Sequence, residues 1–194
     1  MKYPDLRFVT GNWNWTGKTY AILGSVLFLL EYRKFKREDY FLTWKQNSKF
    51  KNTGLKVVLA LFIFRAITSI FFTPKEWDIE TIIFQLTMPG IEEEIAFRGI
   101  MLGLLTQVLQ DEIRLVGIGL GKPAIWVTSI LFGLVHGLFL SPSYEMSFHF
   151  YAFINAMLFG FIFAWLTLKS GSILLALVSH NLVNTTSTLV KMIK

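Results

Sequence analysis

The sequence predicts an all-α protein, a multi-pass transmembrane helical bundle of about six membrane spans, and two observations carry this prediction. Hydrophobic residues make up 53% of the 194 residues and charged residues only 16%, with a mean hydropathy of +0.50. Soluble domains carry about 25% charged residues. The apolar residues are also gathered in runs of roughly 17–22, the length that a helix needs to cross about 30 Å of hydrocarbon.

Six apolar segments follow one another along the chain, and we expect each to form a helix. The third is interrupted by Pro89-Gly90, which favours a kink or a new helix start, because proline cannot donate a backbone hydrogen bond. Backbone groups freed at this break could admit water. The expected segments are residues 15–32, 55–72, 81–108, 124–140, 148–168 and 172–193.

The domain organisation predicted from the sequence is a single membrane domain over residues 1–194. Its first part, residues 1–80, holds two spans without a recognisable motif. The second part, residues 81–194, carries all the polar motifs and is expected to be the catalytic core. The chain contains no cysteine, which excludes disulfides, thiolate metal sites and a cysteine nucleophile.

The basic residues indicate how the chain is oriented. Loop 33–56 holds eight lysines and arginines, opposed only by Glu38 and Asp39. By the positive-inside rule this loop is cytoplasmic, and we expect the protein to be integral to a bacterial or archaeal cell membrane. The net charge of +6 therefore indicates topology and attraction to anionic membrane lipid rather than a nucleic-acid partner.

Polar residues at membrane depth are the candidate functional residues, because an ionisable side chain there costs about 2.5–3.5 kcal/mol or more. Three spans carry such residues, each with a second motif residue four positions away on the same helix face. In the Glu94–Arg98 pair the acid precedes the base, the favourable order for an ion pair. The other two pairs are Phe132 with His136 and His180 with Asn184.

Each of these residues also has a purely structural interpretation. A single membrane histidine usually makes a helix–helix hydrogen bond, and His149 is expected at the membrane interface. Arg65 is expected to reach the interface or an acidic neighbour, and Asn155 to make a structural hydrogen bond. Three spans that together supply a carboxylate base, two imidazoles and an amide favour a site that activates water and stabilises an oxyanion.

The motifs resemble those of one known family. Glu93-Glu94-Ile95-Ala96-Phe97-Arg98 is similar to EExxxR, Phe132–His136 to FxxxH, and His180–Asn184 to HxxxN. These are the motifs of the CPBP intramembrane proteases, which comprise the CAAX prenyl endopeptidases and the bacteriocin-processing (Abi) proteins. The resemblance covers residues 81–194, with the three motifs in the family's order.

The resemblance implies a role for each motif residue. Glu93 would activate water as the base, and Glu92, which creates an ambiguity of register, is set aside by counting back from Arg98. His136 would hold the same water. The implied catalytic residues are Glu93, His136, His180 and Asn184, the last two forming the oxyanion hole, and the implied site-orienting residues are Glu94, Arg98 and Phe132.

The predicted function is an intramembrane endopeptidase that hydrolyses a membrane-associated protein or peptide without a cofactor, with water entering from the cytoplasmic side. One alternative is a zinc-dependent protease in which Glu93, His136 and His180 bind one zinc ion, although HExxH is absent. A second alternative is a non-catalytic bacteriocin-immunity or scaffold protein of the membrane. A third is a small transporter with a proton relay, although no inverted repeat is found.

Overall fold

The computed structural model describes residues 6–109, 111–115, 118–141 and 143–194, and within them the chain forms a helical bundle, as the sequence predicts. The helices are α1 (Trp15–Glu31), α2 (Ser48–Ser69), α3 (Ile79–Glu94), a π-helical segment (Ile95–Met101), α4 (Leu102–Val108), α5 (Pro123–Gly137), α6 (Phe150–Ser170) and α7 (Leu174–Ile193), with a 3₁₀ turn at Arg37–Tyr40.

The helix ends follow from local side chains. Asn14, Asn47 and Asp78 cap α1, α2 and α3, because each side-chain oxygen accepts a backbone N–H of the first helical turn. Pro123 opens α5, where its missing N–H costs no hydrogen bond. Gly171 ends α6 in the left-handed conformation, with φ 75°.

The six predicted segments correspond to helices, but their bounds differ in two places. Helix α2 begins at Ser48 rather than Leu55, because the Asn47 cap extends it into the basic loop. The expected fourth and fifth segments meet in an antiparallel hairpin of β3 (Leu138–Leu140) and β4 (Met146–Phe148). A second short ribbon pairs β1 (Arg114–Leu115) with β2 (Ile118–Gly119).

The third segment is one continuous helix that runs from α3 through the π-helical segment to α4. Pro89 lies inside α3. The backbone N–H of Gly90 donates to Asn181 Oδ1 of α7 at 2.7 Å, and Asn181 Nδ2 donates to Thr87 O at 3.3 Å. The backbone N–H of Gly90, beside this break, is therefore hydrogen-bonded to Asn181 and does not bind water. This contact also joins α3 to α7.

Close packing of α5 on α6 depends on two glycines. A Cβ atom at Gly133 would lie 2.8 Å from Phe153 O, and one at Gly137 would lie 2.7 Å from Phe153 Cβ. Both distances are too short for any larger residue to fit without a shift of the backbone. The two glycines therefore allow α5 to pack against the start of α6, where the histidine of α5 faces Glu93.

The bundle has two distinguishable ends. At the basic end, the Asn47 N–H donates to Ser170 O at 2.8 Å, so the basic loop lies beside the end of α6. At the opposite end, the Lys75 N–H donates to Lys191 O at 2.8 Å, and residues 6–14 lie against Glu80. We call these the basic end and the opposite end.

Much of the outer surface of the bundle is apolar. Leu23, Leu27 and Leu30 are exposed along α1, and Leu59, Ile63, Phe64 and Ile67 are exposed along α2. By length and composition, one helix in the described part of the chain, Phe150–Ser170, is apolar enough to cross a membrane, and Pro123–Gly137 is a shorter apolar helix. Several other helices carry charged residues, such as the glutamates of α3, that lower their hydropathy.

Candidate active site

Glu93 lies in the last turn of α3 and faces two histidines from other helices. Its Oε2 atom is 3.6 Å from His136 Nε2 of α5 and 3.8 Å from His180 Nε2 of α7. This oxygen is buried and has no hydrogen-bond partner among the described residues. A buried oxygen without a partner is costly, so a group from outside the chain is needed to satisfy it.

The other ring nitrogen of each histidine is fixed by a hydrogen bond. His136 Nδ1 lies 2.8 Å from Phe132 O, and because a carbonyl only accepts, Nδ1 carries the proton. His180 Nδ1 donates in the same way to Glu94 Oε1 at 2.7 Å. Both rings therefore turn their Nε2 atoms towards Glu93.

Behind this cluster lies a buried ion pair. Glu94 and Arg98 are 0% and 1% exposed, and Arg98 Nη1 donates to Glu94 Oε1 at 3.0 Å. Arg98 Nη2 donates to Gly160 O of α6 at 3.2 Å, and its guanidinium carbon lies 4.2 Å from the Phe132 ring centroid. The pair thus connects α3, α5, α6 and, through His180, α7.

Phe132 packs directly beside His136, with ring centroids 4.5 Å apart. On the other side of the site, Phe163 of α6 stacks on His180 at 5.2 Å with an interplanar angle of 23°. These contacts leave the two imidazole rings little freedom to turn. Two phenylalanines and two Nδ1 hydrogen bonds therefore set the direction of both Nε2 atoms.

Lys18 of α1 is a charged neighbour of Glu93 that the sequence reasoning missed. Its Nζ donates to Glu93 Oε1 at 2.5 Å and also contacts the Glu92 carboxylate. Lys18 is part of the first span, which was expected to carry no motif. The signal was present in the sequence, because a lysine inside an apolar span needs a partner as much as the three glutamates do.

A cavity of about 350 Å³ lies against these residues. Asn184 lines it, and its side chain makes no hydrogen bond to any other described residue, so its side-chain amide is available. Arg65 and Asn155, which the sequence analysis assigned structural roles, line the cavity as well, whereas His149 packs on Phe139 at 4.8 Å outside it. The remaining lining residues are Trp13, Lys18, Phe84, Gln85, Pro89, Glu93, Phe132, His136, Ala156, Phe159, Phe163, His180 and Val183.

The segment before α1 covers one side of the cavity mouth. The Trp13 indole stacks on Phe84 at 4.7 Å and donates to Thr81 Oγ1 at 2.7 Å. Glu80, which precedes the expected third span, accepts from the Asn12 N–H at 3.1 Å and from the Trp15 indole at 2.9 Å. The Asn12 bond, followed by the Trp15 bond, lowers the pKa of Glu80 below its usual range.

The cavity lies towards the opposite end of the bundle. Trp13 precedes α1, Arg65 is near the end of α2, Gln85 is near the start of α3, and His136 ends α5. All of these positions are remote from the basic loop 33–56. Entry of water from the cytoplasmic side stays a prediction. His136 of α5 and Glu93 of α3 lie at the same depth in the bundle, because their side chains approach to 3.6 Å.

Glu93, His136 and His180, the three donors proposed for zinc, are of the right chemical type. The distances from Glu93 Oε2 to the two histidine nitrogens are longer than the edge of a regular tetrahedral site. Ligands of a tetrahedral zinc at 2.0–2.1 Å lie about 3.3 Å from one another, whereas Glu93 Oε2 is 3.6 and 3.8 Å from the two Nε2 atoms. Within the described ranges, no group of three or more His, Cys, Asp or Glu side chains is arranged to hold a metal ion. A regular tetrahedral zinc site would bring these atoms closer by roughly 0.3–0.5 Å.

Comparison with known proteins identifies the family. Residues 75–186 match the family model described as type II CAAX prenyl endopeptidase Rce1-like. No curated protein and no solved structure matches the chain. The matched residues make up more than half of the sequence and include all three motifs, from Glu93 to Asn184. The chain therefore belongs to the Rce1-like family of type II CAAX prenyl endopeptidases.

Proposed function

We propose that this protein is a multi-pass intramembrane endopeptidase that hydrolyses a peptide bond of a membrane-associated protein or peptide with a water molecule activated by Glu93. The family assignment supports endopeptidase activity in general. The observation that carries the glutamate mechanism is the Oε2 atom of Glu93, which is buried, lacks a partner among the described residues, and faces two imidazole Nε2 atoms.

In the proposed reaction, one water molecule binds between Glu93 Oε2 and His136 Nε2. Since His136 Nδ1 carries the ring proton, neutral His136 presents a lone pair at Nε2, and the water has an acceptor for each of its hydrogens. Glu93 removes one proton as the water oxygen attacks the substrate carbonyl carbon. When the carbon–nitrogen bond breaks, Glu93 returns that proton to the leaving amine.

His180 and Asn184 are proposed to stabilise the negative oxygen of the tetrahedral intermediate. Asn184 supplies a free amide N–H in the cavity wall. His180 donates its Nδ1 proton to Glu94, so only its doubly protonated form can also donate from Nε2. Glu94, held in turn by Arg98, provides the negative charge beside that imidazolium.

The membrane location is supported by the outer surface of the bundle. Exposed leucines, isoleucines and phenylalanines cover the outer faces of α1 and α2, and a soluble monomer rarely leaves such large apolar faces open to water. We therefore propose that lipid covers them. If loop 33–56 is cytoplasmic, the cavity opens towards the other side of the membrane, and cysteine labelling of loop 33–56 tests this orientation.

The decisive variant is Glu93→Gln, which keeps the shape of the side chain but cannot accept the water proton. Wild type and variant would be expressed in the native host, and the membrane proteome searched for a protein that changes length. Glu93→Gln should abolish the cleavage, whereas Glu76→Gln, at an exposed position that forms no ion pair with a described residue, should retain it. Full biological activity of Glu93→Gln would instead favour the non-catalytic scaffold or immunity protein.

Metal dependence is tested on the purified protein. We propose that the reaction needs no cofactor, because no group of three or more His, Cys, Asp or Glu side chains in the described residues is arranged to hold a metal ion and Lys18 already contacts the second oxygen of Glu93. Cleavage should therefore survive strong chelation, and elemental analysis should find no stoichiometric zinc. Activity that is lost on chelation and restored by zinc would establish the zinc-dependent alternative.

A further inference from the structure

Lys18 occupies a position that neither the motifs nor the family match explains. It lies in the second turn of α1, outside the matched residues 75–186. Its ammonium group contacts both the Glu92 and the Glu93 carboxylates, and its side chain is only 23% exposed. Two carboxylates and one ammonium group in such a setting form an ion-pair network whose members depend on each other, since an unpaired buried charge is costly.

The contact with Lys18 gives the two oxygens of Glu93 different neighbours. Lys18 holds Oε1 at 2.5 Å, while Oε2 faces His136 and His180. The two oxygens are chemically equivalent, so Lys18 does not select one of them but fixes the plane of the carboxylate, with one oxygen held and the other turned to the histidines. The ammonium group also favours the ionised carboxylate, which is the form that can accept a proton.

We infer that Lys18 is a positioning residue for Glu93, which fixes the orientation of its carboxylate towards the two histidines. This inference rests on the proposed function, in which Glu93 is the base. Lys18 itself does not touch the reacting atoms, and it acts only through Glu93. The first helix, without a family motif, thereby contributes one residue to the function of the site.

The charged surroundings of Glu93 come from four α-helices and the π-helical segment. The two histidines are fixed by their own Nδ1 contacts, and the Arg98 guanidinium is held by Glu94, so in the described chain Lys18 is the only lysine or arginine within ion-pair distance of the Glu93 carboxylate. The charged and titratable groups around Glu93 are Lys18 from α1, Glu92 and Glu94 from α3, Arg98 from the π-helical segment, His136 from α5 and His180 from α7.

Removal of the ammonium group should not release the first helix. Thr16, the buried residue of α1, is joined to Val9, and Trp13 and Trp15 remain attached to Thr81 and Glu80. Lys18→Met retains the length of the side chain and its packing but not its charge. We therefore expect Lys18→Met to fold, so that its effect reports on Glu93.

The experiment uses full-length protein in detergent or lipid and three variants. These are Lys18→Met, Lys18→Arg, which restores a cation, and Lys56→Met, which removes an exposed lysine of α2 that makes no ion pair with any described residue. The protonation of Glu93 is followed by infrared difference spectroscopy across pH, with its band assigned by its loss in Glu93→Gln. Cleavage of the substrate found in the proteomic comparison is measured across the same pH range.

Lys18→Met should shift the infrared titration of Glu93 to higher pH, because the variant lacks the opposite charge that contacts this carboxylate. It should lower kcat about 100-fold through loss of orientation, with a smaller change in KM. Lys18→Arg should restore kcat to within about tenfold of wild type, and Lys56→Met should match wild type in both measurements.

An unchanged protonation curve in Lys18→Met, or a Lys18→Arg variant as impaired as Lys18→Met, would overturn the inference. Failure of the proposed function has a different signature. In that case Glu93→Gln would still cleave the substrate, while the infrared titration would continue to report whether Lys18 controls the ionisation of Glu93. The two failures can therefore be distinguished.

Discussion

The buried pair of Glu94 and Arg98 offers the sharpest test of how the site is held together. The proposed perturbation is Glu94→Gln, which retains the shape of the side chain and one accepting oxygen but removes its charge. Arg98 would then be left 1% exposed, with only the Gly160 carbonyl and the neutral amide oxygen as acceptors. His180 would lose the carboxylate that accepts its Nδ1 proton.

The expected cost follows from this burial. Removing one partner of a buried ion pair typically destabilises a protein by 3–5 kcal/mol, because the remaining charge is uncompensated. Since glutamine still accepts hydrogen bonds, we take the lower end, about 3 kcal/mol. For a chain of this length each kcal/mol lowers the melting temperature by about 2–4 °C, so Glu94→Gln should melt about 6–12 °C below wild type.

Thermal unfolding of the detergent-solubilised protein measures this shift, with Glu76→Gln as the control, because Glu76 is exposed and forms no ion pair with a described residue. The double variant Glu94→Gln/Arg98→Met should regain more than half of the loss, because it removes the uncompensated charge. A melting temperature of Glu94→Gln within about 2 °C of wild type would correspond to a destabilisation of less than about 1 kcal/mol. Such a small shift would refute the ion-pair argument.

Two further predictions concern the fold around the site. Gly90→Ala should cost about 1–3 kcal/mol, because the new Cβ would lie 2.4 Å from Asn181 Oδ1, whereas Gly24→Ala, with open space around it, should leave the melting temperature equal or higher. The lowered pKa of Glu80 stabilises the fold above its unfolded value of about 4.3, and this contribution is lost as pH falls through the lower folded value. Proteolysis of residues 6–14 should therefore increase below about pH 4. If a Glu80→Gln variant showed the same increase at the same pH, the prediction would be contradicted.

The helices were predictable because their signals are local. Runs of apolar residues, capping residues such as Asn14 and Asp78, and Gly171 at the end of α6 each act within a few positions of the chain. The hairpin of β3 and β4 was missed, since its residues are as apolar as the adjacent helices. The early start of α2 was missed because the basic residues after Asn47 were read as loop.

Within the site, the pairs of residues four positions apart could be predicted from the sequence. The residues of other helices that contact these pairs could not. The sequence indicated that Glu94 could reach Arg98 and that Phe132 could lie beside His136, as the structure has them. It gave no means to join Lys18 to Glu93, which is 75 positions away in the chain. The catalytic roles of these residues remain proposals that the variants above test.

The sequence by itself determined the all-helical class of the protein, the order of its helical segments and the three polar motifs, because hydropathy and helical spacing are properties of neighbouring residues. Only the tertiary structure decided which charges meet. Contacts between distant segments depend on how the helices pack, and one turn of a helix changes which side chain faces the site. That packing turns both histidines towards one oxygen of Glu93, places Lys18 on the other, and opens the cavity at the end remote from the basic loop.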